Sequence, residues 1–474
     1  MQQRRKSVDI RQIVKNFSYT ISSNLLSLLV STLVILVVPK LIGVDEYGYW
    51  QLYLFYTTYV GIFHLGWFDG IYLRYGGVNY KDIDKGLFNS QFFMSFILEM
   101  CFAFAIFLVG FLNYDPNQGY IIIMTGIAMV FMNMGQFFMY ILQITNQINR
   151  YSMFNVINRL VYLVFIVVAL AIGVRDYKVL VLADLTGRFT ALVYGMVCCK
   201  DIVFRPLSKF YFSFKEAVNN INVGIKLLIA NFASNLVVGV IRYGIKFQGG
   251  VAVFGKLSLT LSVSNLLMTF IGAISLVLFP TLKRIKTNLD VVYRNIRVLL
   301  LSTLIFGLFL YFPIMYLLPI WLPKYSDSLA YMAVLFPMCL FDGKFEILIN
   351  TFMKSLRIER TLLFLNIFSV LLSGVLTVIN IFVIGSVTLM MFSIILVLAI
   401  RSTVGEVIVC RMLNIFPYKQ MFIEILVVLI FVLATWYLNI LLALVIYTIV
   451  FIVYVYFHLS SIKNAITYFK NMDM

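Results

Sequence analysis

Stretches of roughly twenty apolar residues recur along this chain with little between them. A helix needs about 20 such residues to cross a bilayer's hydrocarbon core. Segments 17–38, 48–68, 91–112, 120–144, 155–173, 179–199, 223–246, 252–279, 298–318, 329–350, 361–383, 385–409, 421–438 and 440–458 meet that length, fourteen in all. Tight hairpins are predicted at Gly385 and at Tyr437-Leu438-Asn439. Of the 474 residues, 62% are hydrophobic and 12% charged, against about 45–50% and about 25% in soluble domains. Water could not solvate such a surface, so soluble enzymes are excluded.

The charge balance gives the orientation. The net charge is +17, which in a membrane chain reads as topology rather than nucleic-acid affinity. With the N-terminus cytoplasmic, 25 Lys and Arg fall in inner segments and four (Lys40, Arg175, Lys178, Lys324) in outer loops. The inner set includes Lys283, Arg284, Lys286, Arg294 and Arg297. A missed helix would invert the alternation and destroy this bias. Both termini are therefore expected in the cytoplasm, in a multi-pass protein of the cytoplasmic membrane. No predicted loop exceeds about 25 residues, so a soluble catalytic domain is not expected and the chain reads as a transporter, not an enzyme. Five cysteines (Cys101, Cys198, Cys199, Cys339, Cys410) lack disulfide or metal-ligand spacing. With only His64 and His458 as histidines, neither a metal site nor a cofactor is indicated. The basic N-terminus leads into a full-length span with no cleavage site, so a removable signal peptide is not expected there.

A weak internal echo appears at an offset of 207. Leu41–Leu52 lies over Gln248–Leu259, matching Gly43 with Gly250, Val44 with Val251, Gly48 with Gly255 and Leu52 with Leu259; Asn24 meets Asn231. Six helices separate the copies, an even number, so the halves read as parallel repeats. The expected fold is an all-α integral membrane protein: a basic segment 1–16, an N-lobe 17–199, a linker 200–222, a C-lobe 223–409, two appended helices over 410–458 and a tail 459–474. The two lobes are expected to be pseudo-symmetric six-helix units.

The segment Pro39-Lys-Leu-Ile-Gly-Val-Asp-Glu-Tyr-Gly-Tyr-Trp-Gln-Leu52, followed by Gly66-Trp-Phe-Asp-Gly-Ile-Tyr-Leu-Arg-Tyr75, resembles the opening of the polysaccharide-exporter family. That family holds the O-antigen flippases and their teichoic and teichuronic acid relatives, within the multidrug/oligosaccharidyl-lipid/polysaccharide exporter superfamily. The resemblance implies a flippase for an undecaprenyl-pyrophosphate-linked oligosaccharide, working by alternating access in surface polysaccharide assembly. Its partners would be that lipid-linked substrate, membrane lipid and polymerase or assembly proteins, with no nucleic acid. The rivals are a multidrug exporter of the same fold, which would need an acidic cavity, and a membrane glycan polymerase or glycosyltransferase, which would need large outer loops.

The family offers no transferable site motif, so candidate residues follow from misplaced charge. A lone charge at mid-bilayer costs from ~2.5 to over ~10 kcal/mol, so such residues face protein or water. Arg242 and Lys246, at i and i+4 with no acidic residue within four positions, share one helix face. They are the leading candidates for an anionic headgroup, ahead of Arg401, Arg188 and Lys344. The alternatives are local pairing: Arg188 with Asp184 one turn earlier, and Lys344 between Asp342 and Glu346. Arg159, Lys226 and Lys256 lie near span ends and can snorkel. Asn24, Gln143, Asn231, Asn235 and Asn350 are candidates to face a glycan. Glu99, Asp69 and Asp184 are candidates for ion coupling, with Glu99 first.

Overall fold

The computed structural model describes residues 10–284 and 289–472. The predicted N-terminal basic segment therefore lies outside the described residues over 1–9, as does Lys286. The described chain is helical, and its contacts divide it into two compact units, Met1–Phe232 and Ala233–Met474.

Unit 1 contains α1 (Ile10–Leu41), α2 (Val44–Thr57), α3 (Trp67–Tyr75), α4 (Lys85–Phe111), α5 (Pro116–Ile144), α6 (Ile148–Ala171) and α7 (Tyr177–Cys198). It also holds the first turns of α8 (Phe214–Arg284). Short polar loops end these helices with aspartate caps. The Asp84 carboxylate accepts from the amides of Gly86 and Leu87, and Asp176 accepts from that of Lys178. Asp115 caps α5 just ahead of Pro116, whose missing N–H costs nothing in a first turn. The core is aromatic, with Phe68, Phe92, Phe137 and Phe138 in mutual edge and tilted contacts.

The predicted span 48–68 is not one helix. After α2 comes a tight 3-10 turn, Val60–His64, then two left-handed residues, Leu65 (φ 53°) and Gly66 (φ 79°), before α3 begins. Close contact explains the glycines here. Gly66 and Gly70 lie against Gly224 and Asn220 of α8; a Cβ on Gly70 would collide with the Asn220 carbonyl, and one on Gly224 with the Gly66 carbonyl. Small residues allow the two backbones to touch. Arg74 Nη1 closes the crossing on Glu216 Oε1 (2.6 Å) and Asn220 Oδ1 (2.5 Å). This is why residues 214–232 fold with unit 1, ten residues beyond the predicted lobe boundary.

Gly250 interrupts α8 with φ 77° and ψ −177°, a conformation that side chains oppose. Its partner in the repeat, Gly43, is the residue before α2. Both matched glycines therefore stand where one helix gives way to the next.

Unit 2 continues with α9 (Leu289–Gly307), α10 (Tyr311–Trp321), α11 (Met338–Lys344), α12 (Glu359–Ile379), α13 (Val387–Met412), α14 (Tyr418–Tyr437) and α15 (Ile440–Met472). The hairpins fall where predicted: left-handed Gly385 (φ 72°) separates α12 from α13, and Leu438 and Asn439 separate α14 from α15. One expectation changes. Segment 329–350 is built from short helical pieces ending in a π-helical turn, Phe345–Asn350. The predicted tail 459–474 is helical through Met472 as part of α15. The last two helices pack into unit 2, with Tyr447 Oη donating to the Ile305 carbonyl at 2.6 Å.

Among the described residues eleven helical segments are long and apolar enough to cross a membrane. The predicted fourteen spans also count 48–68 and 329–350, and divide the single segment Phe214–Leu266 in two. The chain is an all-α integral membrane protein.

Candidate functional site

Of the five cations predicted to meet an anionic headgroup, Arg188 lies in unit 1 and the other four in unit 2. The Arg188 Nε donates to Asp184 Oδ2 at 2.5 Å, one turn back on α7, and Tyr53 Oη donates to the same oxygen at 2.7 Å. The local-pairing alternative therefore describes Arg188 and Asp184 in this structure, and α2 is tied to α7 through that carboxylate.

Lys344 pairs neither with Asp342 nor with Glu346. Its ammonium donates to Glu406 Oε2 (2.7 Å) and Glu424 Oε2 (3.0 Å). Arg297 donates to the remaining oxygens, Nε to Glu406 Oε1 and Nη2 to Glu424 Oε1, both at 2.5 Å. Its Nη1 donates to Gln420 Oε1 at 2.9 Å. The result is a closed ring of two cations and two carboxylates joining α9, α11, α13 and α14. None of the four side chains is more than 3% exposed. Every carboxylate oxygen has a cationic donor, so the ring is neutral and complete. Lys344 is thus committed to protein partners. Arg297, counted from sequence as an inner-loop cation, is a buried member of the same ring.

Arg401 is also 4% exposed and clamped. Its Nε donates to Asn366 Oδ1 (3.2 Å) and Nη2 to Ser234 Oγ (2.7 Å), its Nη1 is 4.0 Å from Asp342 Oδ1, and the guanidinium lies 3.6 Å from the centre of the Phe345 ring. The carboxylate at Glu406, five residues on, belongs to the ring instead.

Arg242 and Lys246 lie one turn apart on the same helix. Both are partly exposed on α8. Arg242 Nη2 donates to Ser258 Oγ at 2.9 Å, with the guanidinium 5.3 Å from the Phe254 ring centre. The Lys246 ammonium is 5.8 Å from the Tyr243 ring. Of the predicted glycan-facing residues, Asn24, Asn231 and Asn235 are exposed and Gln143 partly so, while Asn350 donates to Glu346 Oε2 at 2.9 Å.

Two of the ion-coupling candidates flank the broken helix of unit 1. Glu99 on α4 has no solvent exposure. The Asn133 amide on α5 donates both to Glu99 Oε1 (2.9 Å) and to the Val60 carbonyl (3.1 Å) at the start of the 3-10 turn. Glu99 Oε2 has no hydrogen-bond partner among the described residues. At the other end of that turn, His64 Nδ1 accepts from the Gly66 amide (3.1 Å), which leaves Nε2 as the protonated nitrogen of a neutral ring. Nε2 lies 3.9 Å from Asp69 Oδ2, and Tyr140 Oη donates to Asp69 Oδ1 at 3.1 Å. His64 and Asp69 are buried. His64, Tyr140 and Asn133 were not singled out from sequence. Nothing local marks them, because the turn brings them together.

This scaffold has known relatives. The family described as "Polysaccharide biosynthesis protein" matches residues 13–286, more than half of the chain. Among solved structures, the lipid II flippase MurJ in an inward closed conformation aligns with a TM-score of 0.64 at 13% identity, covering 94% of this chain and 99% of that one. An inward-facing multidrug resistance MATE family transporter of the MOP superfamily gives 0.61 at 13% identity, over 82% and 98%. A MATE protein in complex with MaL6 gives 0.53 at 13% identity, over 85% and 96%. No curated protein sequence is a significant match. At such identities the structures speak for the fold and the sequence family for kinship: the chain belongs to the polysaccharide biosynthesis protein family, on the fold of MOP-superfamily membrane transporters.

Proposed function

We propose that this protein moves an undecaprenyl-pyrophosphate-linked oligosaccharide across the cytoplasmic membrane by alternating access, with both termini in the cytoplasm and no covalent step. Arg242 and Lys246 receive the pyrophosphate, the Arg as a bidentate donor and the Lys as a point charge. The lipid tail stays in the bilayer. The observation that carries this reading is the family match over residues 13–286, which contains the Arg242–Lys246 pair. Arg188, Lys344 and Arg401 drop to structural roles because each faces a carboxylate of its own unit. Glu99, linked through Asn133 to the turn that interrupts the second predicted span, is the ion-coupling residue. Asp69, beside His64 at the other end of that turn, is the next candidate.

The test is flipping of a fluorescent lipid-linked oligosaccharide in proteoliposomes. Replacing both Arg242 and Lys246 by Ala removes two charged contacts to phosphate, each contributing about 1.5–3 kcal/mol, and lowers the rate at least tenfold. An unchanged rate overturns the site. Transport of a cationic drug with no saccharide-lipid flipping would favour the multidrug-exporter alternative, which the MATE-like fold also accommodates.

A further inference from the structure

Unit 2 contains a polar cavity that none of the residues assigned to transport lines. It occupies about 340 Å³ in unit 2, where the beginnings of α9 and α14 meet the last turns of α15. Its polar wall is Arg294, Asn295, Arg297, Gln420, Ser461 and Asn464. Each of these side chains can donate a hydrogen bond, and among the described residues no carboxylate lines the space. The charge of Arg297 at the floor is already met by Glu406 and Glu424. The positive charge offered to a ligand therefore comes from Arg294, which is exposed at the rim. The start of α14 forms part of the wall and has no side-chain cap, so its first-turn amides add donors and the positive end of a helix dipole. Phe416, 65% exposed, gives the same cavity an apolar lip.

The three wall segments are also the ones that the Lys and Arg bias places on the cytoplasmic side. Arg411, Lys419 and Lys463 are exposed on or beside them. At that level an anionic leaflet presents phosphodiesters beside acyl chains, which suits a cavity with donors on one wall and an exposed Phe on its edge. We propose that this cavity binds a phosphate group, either in the headgroup of an anionic inner-leaflet phospholipid or as a small soluble anion. The proposal does not depend on the substrate path assigned to Arg242 and Lys246. Through Gln420, which accepts from Arg297 Nη1, a bound headgroup would sit one side chain from the buried ring.

Native mass spectrometry of the purified full-length protein provides the test, with phosphatidylglycerol and phosphatidylcholine titrated separately. Phosphatidylglycerol is expected to be retained at least tenfold more tightly. Arg294→Glu should reduce that retention about tenfold, equivalent to 1.4 kcal/mol, while Arg294→Lys keeps most of it. Millimolar inorganic phosphate that displaces the lipid identifies a site for the free anion as well; failure to displace it identifies the lipid headgroup as the ligand. Equal retention of the two lipids, or phosphatidylglycerol retention unaffected by Arg294→Glu, overturns the proposal. If Arg294→Glu does not fold, Ser461→Ala with Asn464→Ala replaces it, and wild-type retention in that double variant overturns the proposal equally.

Discussion

Glu99 in unit 1 and Glu406 with Glu424 in unit 2 are all buried to 1% exposure or less, yet their surroundings are opposite. In unit 2 each carboxylate oxygen has a charged donor at 2.5 to 3.0 Å, and each cation is shared between two acids. In unit 1 one oxygen takes a single amide from Asn133 and the other has no donor among the described residues. The first arrangement recovers the desolvation cost of its charges; the second leaves it standing. A group retained at such a cost points to work other than stability. The location agrees. The ring ties four helices together, whereas Glu99 is linked to the 3-10 turn where the chain between α2 and α3 is already broken.

The contrast is sharpest in stability. Lys344→Met removes one cation from the ring and strands a buried negative charge. Breaking a buried pair this way costs about 3–5 kcal/mol, so a large fall in melting temperature in detergent is expected. Adding Glu424→Gln to Lys344→Met restores charge balance and should recover part of the loss. Additive losses in the double variant would show that the four groups do not act as a ring.

How much of this was readable beforehand depends on the distance between partners. Helix ends were legible at Gly385 and at Tyr437-Leu438-Asn439, because the chemistry that ends a helix sits within a few residues of the end. The spacing of Arg242 and Lys246 was equally local. The ring was not. Its contacts join residues separated by 62 to 127 positions, and the near neighbours of Lys344, Asp342 and Glu346, gave a plausible but wrong pairing. Arg297 resembled a loop cation because it stands at the inner end of its span. The available clue was arithmetic: Arg297, Lys344, Glu406 and Glu424 sum to zero net charge, all within or at the edge of apolar stretches. The break within 48–68 was hidden for a related reason. Hydropathy stays high through Leu65 while the backbone turns left-handed, and only the Gly66 and Gly70 spacing hints at a close crossing.

Asp184 supplies an intermediate case. Its carboxylate serves one cation and one phenol, and the Arg188 side chain retains 16% exposure. Asp184→Asn keeps an acceptor for Tyr53 Oη but leaves the guanidinium uncompensated. The loss expected is about 1–3 kcal/mol, between the ring and Glu99. A loss as large as that of Lys344→Met would place this pair with the ring, and flipping activity lost at unchanged stability would place it with Glu99.

Glu99→Gln should have the smallest effect on stability and the clearest on transport. The substitution keeps the acceptor that Asn133 uses, breaks no ion pair, and removes the group that can take up and release a proton. Stability should therefore stay within about 1 kcal/mol of wild type. If Glu99 couples transport to an ion, flipping in proteoliposomes should lose its dependence on pH or on the cation gradient in this variant while substrate binding persists. Two results would dissolve the distinction between the units. A destabilisation comparable to Lys344→Met would make Glu99 a structural acid like Glu406. An unchanged pH dependence in a stable variant would leave its unmatched oxygen without a role in coupling.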